Sequence, residues 1–223
     1  MTTQVKICGL STEATLEAAL DAGADLVGFV LFPKSPRNVS VERAAALARH
    51  ARSRRDGVQV VTLLVDADDV LVDRVTAEIK PDLLQLHGHE TPARAEEIRR
   101  RSGLRVMKAV PVSDRSEVDD ALRYLAAGGG ADLLLFDAKP PANADALPGG
   151  NGLAFDWHIL DGARGRAPFA LAGGLSPENV AAAIELTGAE IVDVSSGVES
   201  RPGQKDPDLI RRFLRAAKAA KQA

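Results

Sequence analysis

The sequence predicts an α/β chain folded as a single (β/α)₈ barrel, and two observations carry that prediction. Short apolar runs alternate with longer segments of helical period along the whole chain, and a Gly-Ala-acid-apolar signature recurs where a helix gives way to a strand. The apolar runs are residues 4–8, 26–32, 58–65, 83–87, 104–110, 133–137, 169–172 and 191–195. Most are continuously apolar rather than alternating, which is the pattern of strands covered on both faces, as in parallel sheets.

The helical segments justify themselves by spacing. Val41, Ala44, Ala45 and Ala48 recur on one helix face, and Leu209, Ile210, Phe213, Leu214 and Ala217 form another apolar stripe. Three pairs, Thr91-Pro92, Ser176-Pro177 and Asp206-Pro207, read as helix starts. Each combines an N-cap side chain with proline at the first helical position, where a missing N–H costs nothing. Gly23-Ala24-Asp25-Leu26, Gly130-Ala131-Asp132-Leu133 and Gly188-Ala189-Glu190-Ile191 close a helix and open a strand, with Lys80-Pro81-Asp82-Leu83 as a variant. Glycine suits the left-handed cap there. Eight units in 223 residues give about 28 each, the size of one strand-helix step, and fit a compact TIM barrel. An open doubly wound sheet is the competing architecture, but no Gly-x-Gly-x-x-Gly follows the first strand.

Length allows one or two domains; nothing resembles a linker, so residues 1–223 are read as one barrel. The chain is 45% hydrophobic, enough for a sizeable core, and its net charge is −3 from 28 Lys+Arg against 31 Asp+Glu. No global positive field would draw it to nucleic acid or to an anionic membrane. The basic runs Arg52, Arg54, Arg55 and Arg99, Arg100, Arg101 fall at helix ends, where cations complement the dipole. No apolar stretch reaches the ~18 residues needed to span a bilayer. The N-terminus carries no signal-peptide pattern, and a lone cysteine suits a reducing compartment, so a cytoplasmic protein is expected.

In a (β/α)₈ barrel the active site lies at the C-terminal ends of the strands. Cys8 ends the first run, Ser35-Pro36-Arg37 follows the second, Asp66 the third, and His87-Gly88 the fourth. Asp137 ends the sixth, Ala172-Gly173-Gly174 the seventh, and Ser195-Ser196-Gly197 the eighth. A thiol, a guanidinium, an imidazole and a carboxylate are thus expected on one rim, with Asp66 as a cap or loop residue. His50 and His89 read as surface. Glycines after the last two strands allow backbone N–H groups to approach an anion closely. Gly173, Gly174, Ser195, Ser196 and Gly197, with Gly152 of the third glycine-rich loop, are therefore the candidate phosphate seat. That third loop, Gly149-Gly150-Asn151-Gly152, ends the longest predicted connection, which holds Pro140, Pro141 and Pro148 and could close over a ligand.

These residues resemble those of phosphoribosylanthranilate isomerase, an enzyme family of tryptophan biosynthesis. The resemblance rests on Lys6-Ile7-Cys8-Gly9, Gly28-Phe29-Val30 with Ser35-Pro36-Arg37, Gln85-Leu86-His87-Gly88 and Asp137. It continues through Gly149-Gly150-Asn151-Gly152 before Phe155-Asp156-Trp157, Ala172-Gly173-Gly174-Leu175, and Asp193-Val194-Ser195-Ser196-Gly197-Val198-Glu199. One departure is Asn151, where the family usually has threonine or serine. The resemblance implies an Amadori rearrangement of a phosphorylated small molecule, N-(5′-phosphoribosyl)anthranilate, with Asp137 as general acid and Cys8 as general base. It implies that Arg37 binds the anthranilate carboxylate, that His87 lines the site, and that Asp193 lies near the anthranilate amino group. It implies no metal and no organic cofactor, and a monomer or homodimer.

The chemistry sets a requirement on each group. The acid must hold a proton and the base must lack one, so Asp137 needs a raised pKa and Cys8 a lowered one, thiolate being the active form. Lys6 and Cys8 are two residues apart and should share the barrel interior, as should Asp193 and Ser195 on the eighth strand. Lys6 and Asp193 are therefore expected to pair below the site. The isomerase of histidine biosynthesis is the nearest alternative; by resemblance it uses a carboxylate where Cys8 stands. A Schiff-base aldolase or epimerase is weaker, because neither Lys108 nor Lys139 sits clearly inside at a strand tip. A non-catalytic barrel has no need of both Cys8 and Asp137.

Overall fold

Eight parallel strands close a barrel in chain order, β1 to β8, in a computed structural model that describes residues 3–139, 149–150, 152 and 155–220. The strands are β1 Gln4–Cys8, β2 Leu26–Leu31, β3 Gln59–Leu64, β4 Leu83–Leu86, β5 Arg105–Val112, β6 Leu133–Ala138, β7 Phe169–Leu171 and β8 Ile191–Val194. Each lies within two residues of its predicted bounds. β1 pairs with β8 as well as with β2, so the sheet has no edge. The predicted ligand-closing segment, with Pro140, Pro141, Pro148 and Asn151, lies outside the described residues.

The recurrent acid at the strand starts has a specific role. Asp25 accepts the Val5 amide at 2.8 Å, Asp82 the Val60 amide at 2.7 Å, and Asp132 the Val106 amide at 2.9 Å. At β2, β4 and β6 the acid thereby ties down an amide near the start of the strand before it, a backbone group that would otherwise be unpaired at the barrel floor. Inside the wall, Leu26, Val61, Leu83, Met107, Leu133, Leu135, Ala170 and Ile191 pack as one cluster. Between wall and helices lies the larger core, with Val41, Ala44, Ala45 and Ala48 of α2 (Val41–Arg54) buried as their spacing requires.

Helices α1 (Glu13–Asp21), α2, α3 (Asp69–Arg74), α4 (Pro92–Ser102), α5 (Arg115–Ala121), α6 (Val180–Thr187) and α7 (Pro207–Ala219) surround the barrel. Thr91 caps α4 and Asp206 caps α7 as predicted. Ser176-Pro177 does not start a helix: α6 begins at Val180. The Asn179 side chain bonds back to the Ser176 amide at 2.8 Å and the Gly174 carbonyl at 2.9 Å, so the segment is spent closing the glycine loop. A short 3-10 segment, Trp157–Gly162, precedes β7. The basic helix ends are neutralised locally, Arg99 by Asp132, Arg100 by Glu96, and Arg101 by Asp69 and Asp73. Among the described residues no helix is long and apolar enough to cross a membrane.

One element was not legible in the sequence reading. After β8 and a turn at Ser196–Val198, a small antiparallel hairpin forms from β9 (Glu199–Arg201) and β10 (Gln204–Lys205). Its turn is Pro202-Gly203, with Gly203 at φ +81°, a conformation open to glycine and strained for other residues. Pro-Gly is a strong turn signal, and it was the available clue.

Candidate active site

A cleft of about 780 Å³ opens over the C-terminal ends of the strands. Cys8, Arg37, His87, Asp137 and Asp193 all line it, together with Gly152, Gly173, Gly174, Ser195, Ser196 and Gly197. Strand alternation explains the convergence. Positions 6 and 8 of β1, 85 and 87 at β4, 137 of β6, and 193 and 195 at β8 lie on the inner face, with the later residue of each strand nearer the rim.

Lys6 and Asp193 do pair. They stand opposite each other in the β1–β8 register, and the Lys6 Nζ donates to both carboxylate oxygens at 3.0 and 2.9 Å. Both are buried, Lys6 completely. A Cβ placed on Gly28 would sit 3.1 Å from the Cys8 Sγ and 3.1 Å from the Lys6 Nζ. Glycine in β2 thus leaves room for the thiol and the ammonium to occupy one space.

The Cys8 thiol is free and buried. The expectation that it would be tuned downward is overturned: burial pushes it above its ordinary value, and the Lys6 ammonium opposes this without overcoming it. Asp193, on the other side of Lys6, adds a smaller push in the same direction as burial, because its negative charge disfavours a thiolate nearby. For Lys6 itself burial is the largest influence and acts downward, but Asp193 and Cys8 together hold the ammonium above its ordinary range.

Asp137 is buried, and its Oδ1 accepts the Ala138 amide at 2.8 Å. Its Oδ2 lies 3.2 Å from the His87 Nε2, a close contact that is not aligned as a hydrogen bond. The Gln85 amide nitrogen is 3.1 Å from the His87 Nδ1; with that nitrogen donating, the ring proton sits on Nε2, facing Asp137. Gly149 lies against both: a Cβ there would come within 2.7 Å of the imidazole and 2.8 Å of the Asp137 Oδ2. Asp66 is a loop residue, accepting the His89 amide, and His89 is exposed. Lys108 is buried on the outer face of β5, between inward-facing Met107 and Ala109, and pairs with Glu90 at 2.8 Å. Lys139 is exposed and pairs with Glu117.

Arg37 is held through two of its three guanidinium nitrogens, its Nη2 also reaching the Gly150 carbonyl at 3.3 Å. Glu199 takes its Nε at 2.7 Å and its Nη2 at 2.8 Å, a bidentate fork, and Glu199 also accepts Lys205 at 2.6 Å. Lys205 is almost completely buried, and burial pulls it down to about 8 against the attraction of Glu199. Glu199 and Lys205 had no role in the sequence reading, because the hairpin that carries them was not seen.

A family model described as N-(5′-phosphoribosyl)anthranilate isomerase matches residues 5–216. This chain belongs to that family. An N-(5′-phosphoribosyl)anthranilate isomerase of Parvibaculum lavamentivorans is 54% identical over 221 residues, covering 99% of this chain and all of that protein. A phosphoribosyl anthranilate isomerase from Thermotoga maritima superposes with a TM-score of 0.85 at 36% identity, covering 97% of this chain and 99% of that one. A family structure in complex with reduced 1-(o-carboxyphenylamino)-1-deoxyribulose 5-phosphate has a TM-score of 0.82 at 33% identity, covering 97% and 99%. Members of this family thus match the chain in both sequence and fold.

Proposed function

We propose that this chain catalyses the Amadori rearrangement of N-(5′-phosphoribosyl)anthranilate to 1-(2-carboxyphenylamino)-1-deoxyribulose 5-phosphate, with Asp137 as general acid and Cys8 as general base. The observation that supports this most is the meeting of a buried thiol, a buried carboxyl and glycine-rich loops on one cleft, in a chain of this family.

Asp137 gives its proton to the ribose ring oxygen, the C1–O bond breaks, and the ring opens to a protonated Schiff base. Cys8 then takes the proton from C2, and the electron pair moves to form an enolamine, which tautomerises to the ketone. A thiol held high in the empty site suits this order. The cationic Schiff base appears only after ring opening; its charge then favours the thiolate beside it, the thiol proton passes to solvent, and the thiolate takes the C2 proton. Arg37 holds the anthranilate carboxylate, for which a guanidinium fork is better matched than an ammonium. Gly152, Gly173, Gly174, Ser195, Ser196 and Gly197 seat the phosphate. Gly173 and Gly174 have φ of +84° and +62°, and a Cβ on Gly173 would lie 2.6 Å from the Ala138 amide, so Gly173 has no room for a side chain. His87 and Asp193 line the space between. The steps need proton donors and acceptors alone, so the proposal includes no metal or organic cofactor.

The fluorescence of the anthranilate substrate provides the test, run beside the aminoaldose substrate of the histidine-pathway isomerase. Turnover of the former is expected; turnover of only the latter would overturn the reading. Cys8→Ala and Asp137→Asn should each cut turnover at least ~10²-fold, the scale for removing an acid or base. A near-normal rate in either variant would remove that residue from its role. Arg37→Ala should mainly raise KM. A cytoplasmic site of action and a monomeric or homodimeric state belong to the same proposal, and cell fractionation and sedimentation test them.

A further inference from the structure

The β9–β10 hairpin lies outside the barrel and is exposed along Ser200, Arg201, Pro202 and Gln204. Its two buried side chains are Glu199 and Lys205, paired across the hairpin by register and turned together toward the rim. Glu199 grips Arg37 through Nε and Nη2. The third nitrogen, Nη1, has no bond among the described residues and lies over Gly150 in the cleft wall, 2.5 Å from where a Cβ on that glycine would be. The grip therefore presents one edge of the guanidinium to the cleft.

The grip also has an electrostatic cost. An arginine paired with a glutamate is neutral overall, and an anionic ligand approaching Nη1 would meet the glutamate's charge close behind it. Lys205 removes that difficulty. Its Nζ bonds Glu199 Oε1 at 2.6 Å, the Ser195 carbonyl at 3.0 Å and the Ser195 hydroxyl at 3.1 Å, with a side chain only 1% exposed. Arg37, Glu199 and Lys205 together carry one net positive charge, held rigidly and out of water, where charge acts most strongly. We propose that Lys205 is a positioning residue for ligand recognition: it lets Glu199 orient Arg37 without neutralising it, so that the trio acts as a receptor for an aryl carboxylate. This rests on the reading of Arg37 as the carboxylate-binding residue. The ordinary alternative is a staple fastening the hairpin to the barrel.

Two ligands separate these possibilities: the reduced rearrangement product, and the same molecule with phenyl in place of carboxyphenyl. Their dissociation constants are measured by calorimetry on the intact protein. Lys205→Met should weaken the carboxylated ligand at least ~10-fold and the other less than ~3-fold, and Lys205→Arg should restore most of the difference. Equal weakening of both ligands, or of neither, while Arg37→Ala still discriminates between them, overturns the proposal and leaves the role of Arg37 intact. If Arg37→Ala does not discriminate, the reading of Arg37 fails and this proposal with it. A measurement on the unmutated protein guards against misfolded variants. Glu199, Arg37 and Cys8 are the charged or titratable groups acting on Lys205, and Lys6 and Asp193 stand behind Cys8. The affinity ratio of the two ligands should fall as pH rises through about 8, where Lys205 loses its proton; the phosphate, common to both, cancels. A ratio constant from pH 7 to 9.5 overturns the proposal.

Discussion

Two buried lysine–carboxylate pairs stand on opposite faces of the barrel wall, Lys6–Asp193 inside and Lys108–Glu90 outside. Their ionic distances are nearly equal, 2.9 and 2.8 Å, and all four side chains are buried. What surrounds them differs. Lys108 also donates to the Gly88 carbonyl at 2.7 Å, and Glu90 accepts the amides of Gly88 at 2.9 Å and Asp66 at 2.8 Å. Tyr124 bonds the Glu90 carbonyl at 2.9 Å and its ring lies near the ammonium. Every partner there belongs to the loops after β3 and β4 or to their supports, so the pair is closed and structural. Lys6 has one carboxylate and, in place of a carbonyl, the Cys8 thiol. The lesson is that a buried ion pair is read from its remaining neighbours: the Lys108 pair has its bonds satisfied within the loops, whereas the Lys6 pair has a titratable thiol beside it, as the proposed base requires.

The sharpest way to break this comparison is Lys6→Met. Turnover should fall about 10²-fold, because the thiolate loses its nearest cation while Asp193 keeps its repulsion. Single-turnover rates decide it, and a change below threefold would put Lys6 among the scaffold residues. The next effect lies in the pH profile. Because Cys8 is held above its ordinary value in the empty site, kcat/KM of the unmutated protein should still be rising as pH passes ~8.5, the usual thiol value. Lys6→Met should move that rise further upward; a plateau already reached at pH 7 contradicts the burial argument.

Lys108→Met should leave turnover within about threefold but cost roughly 3–5 kcal/mol in urea unfolding, the scale for stranding one partner of a buried pair. A large kinetic loss at full stability would reverse the assignment of the two pairs. The smallest effect concerns Lys205. Its folded value of about 8 lies below the ordinary 10.5, so between those limits the unfolded chain binds more protons than the native one. Lysine burial then becomes less costly as pH rises. The stability of the unmutated protein relative to Lys205→Met should therefore increase across that window, by on the order of 2–3 kcal/mol. A relative stability that falls there would show that the Lys205 ammonium is held above its ordinary range, the reverse of what burial does.

Much of the site was legible because strand ends are legible. Cys8, His87, Asp137 and Ser195 each close an apolar run, and in a barrel the ends of all runs meet. Gly173 and Gly174 stood out for the same reason. The Ser176-Pro177 signal misled, because Asn179 diverts that segment into the glycine loop, a side-chain preference that cap and proline statistics do not weigh. Glu199 appeared only as the end of a motif and Lys205 not at all. Their meaning depends on a two-strand hairpin too short to have a hydrophobic period.

The sequence by itself determined the barrel, the order of its strands, the acids at the strand entries, and the set of side chains at the rim. These follow from local rules, namely the two-residue and 3.6-residue periods, caps and turns, that act over a few positions. The tertiary structure alone decided the direction in which Cys8 is shifted and the grip on Arg37, whose partner Glu199 is 162 positions away. Whether a thiol is raised or lowered depends on burial and on distances of a few ångströms between such residues, and closure of the barrel is what sets them.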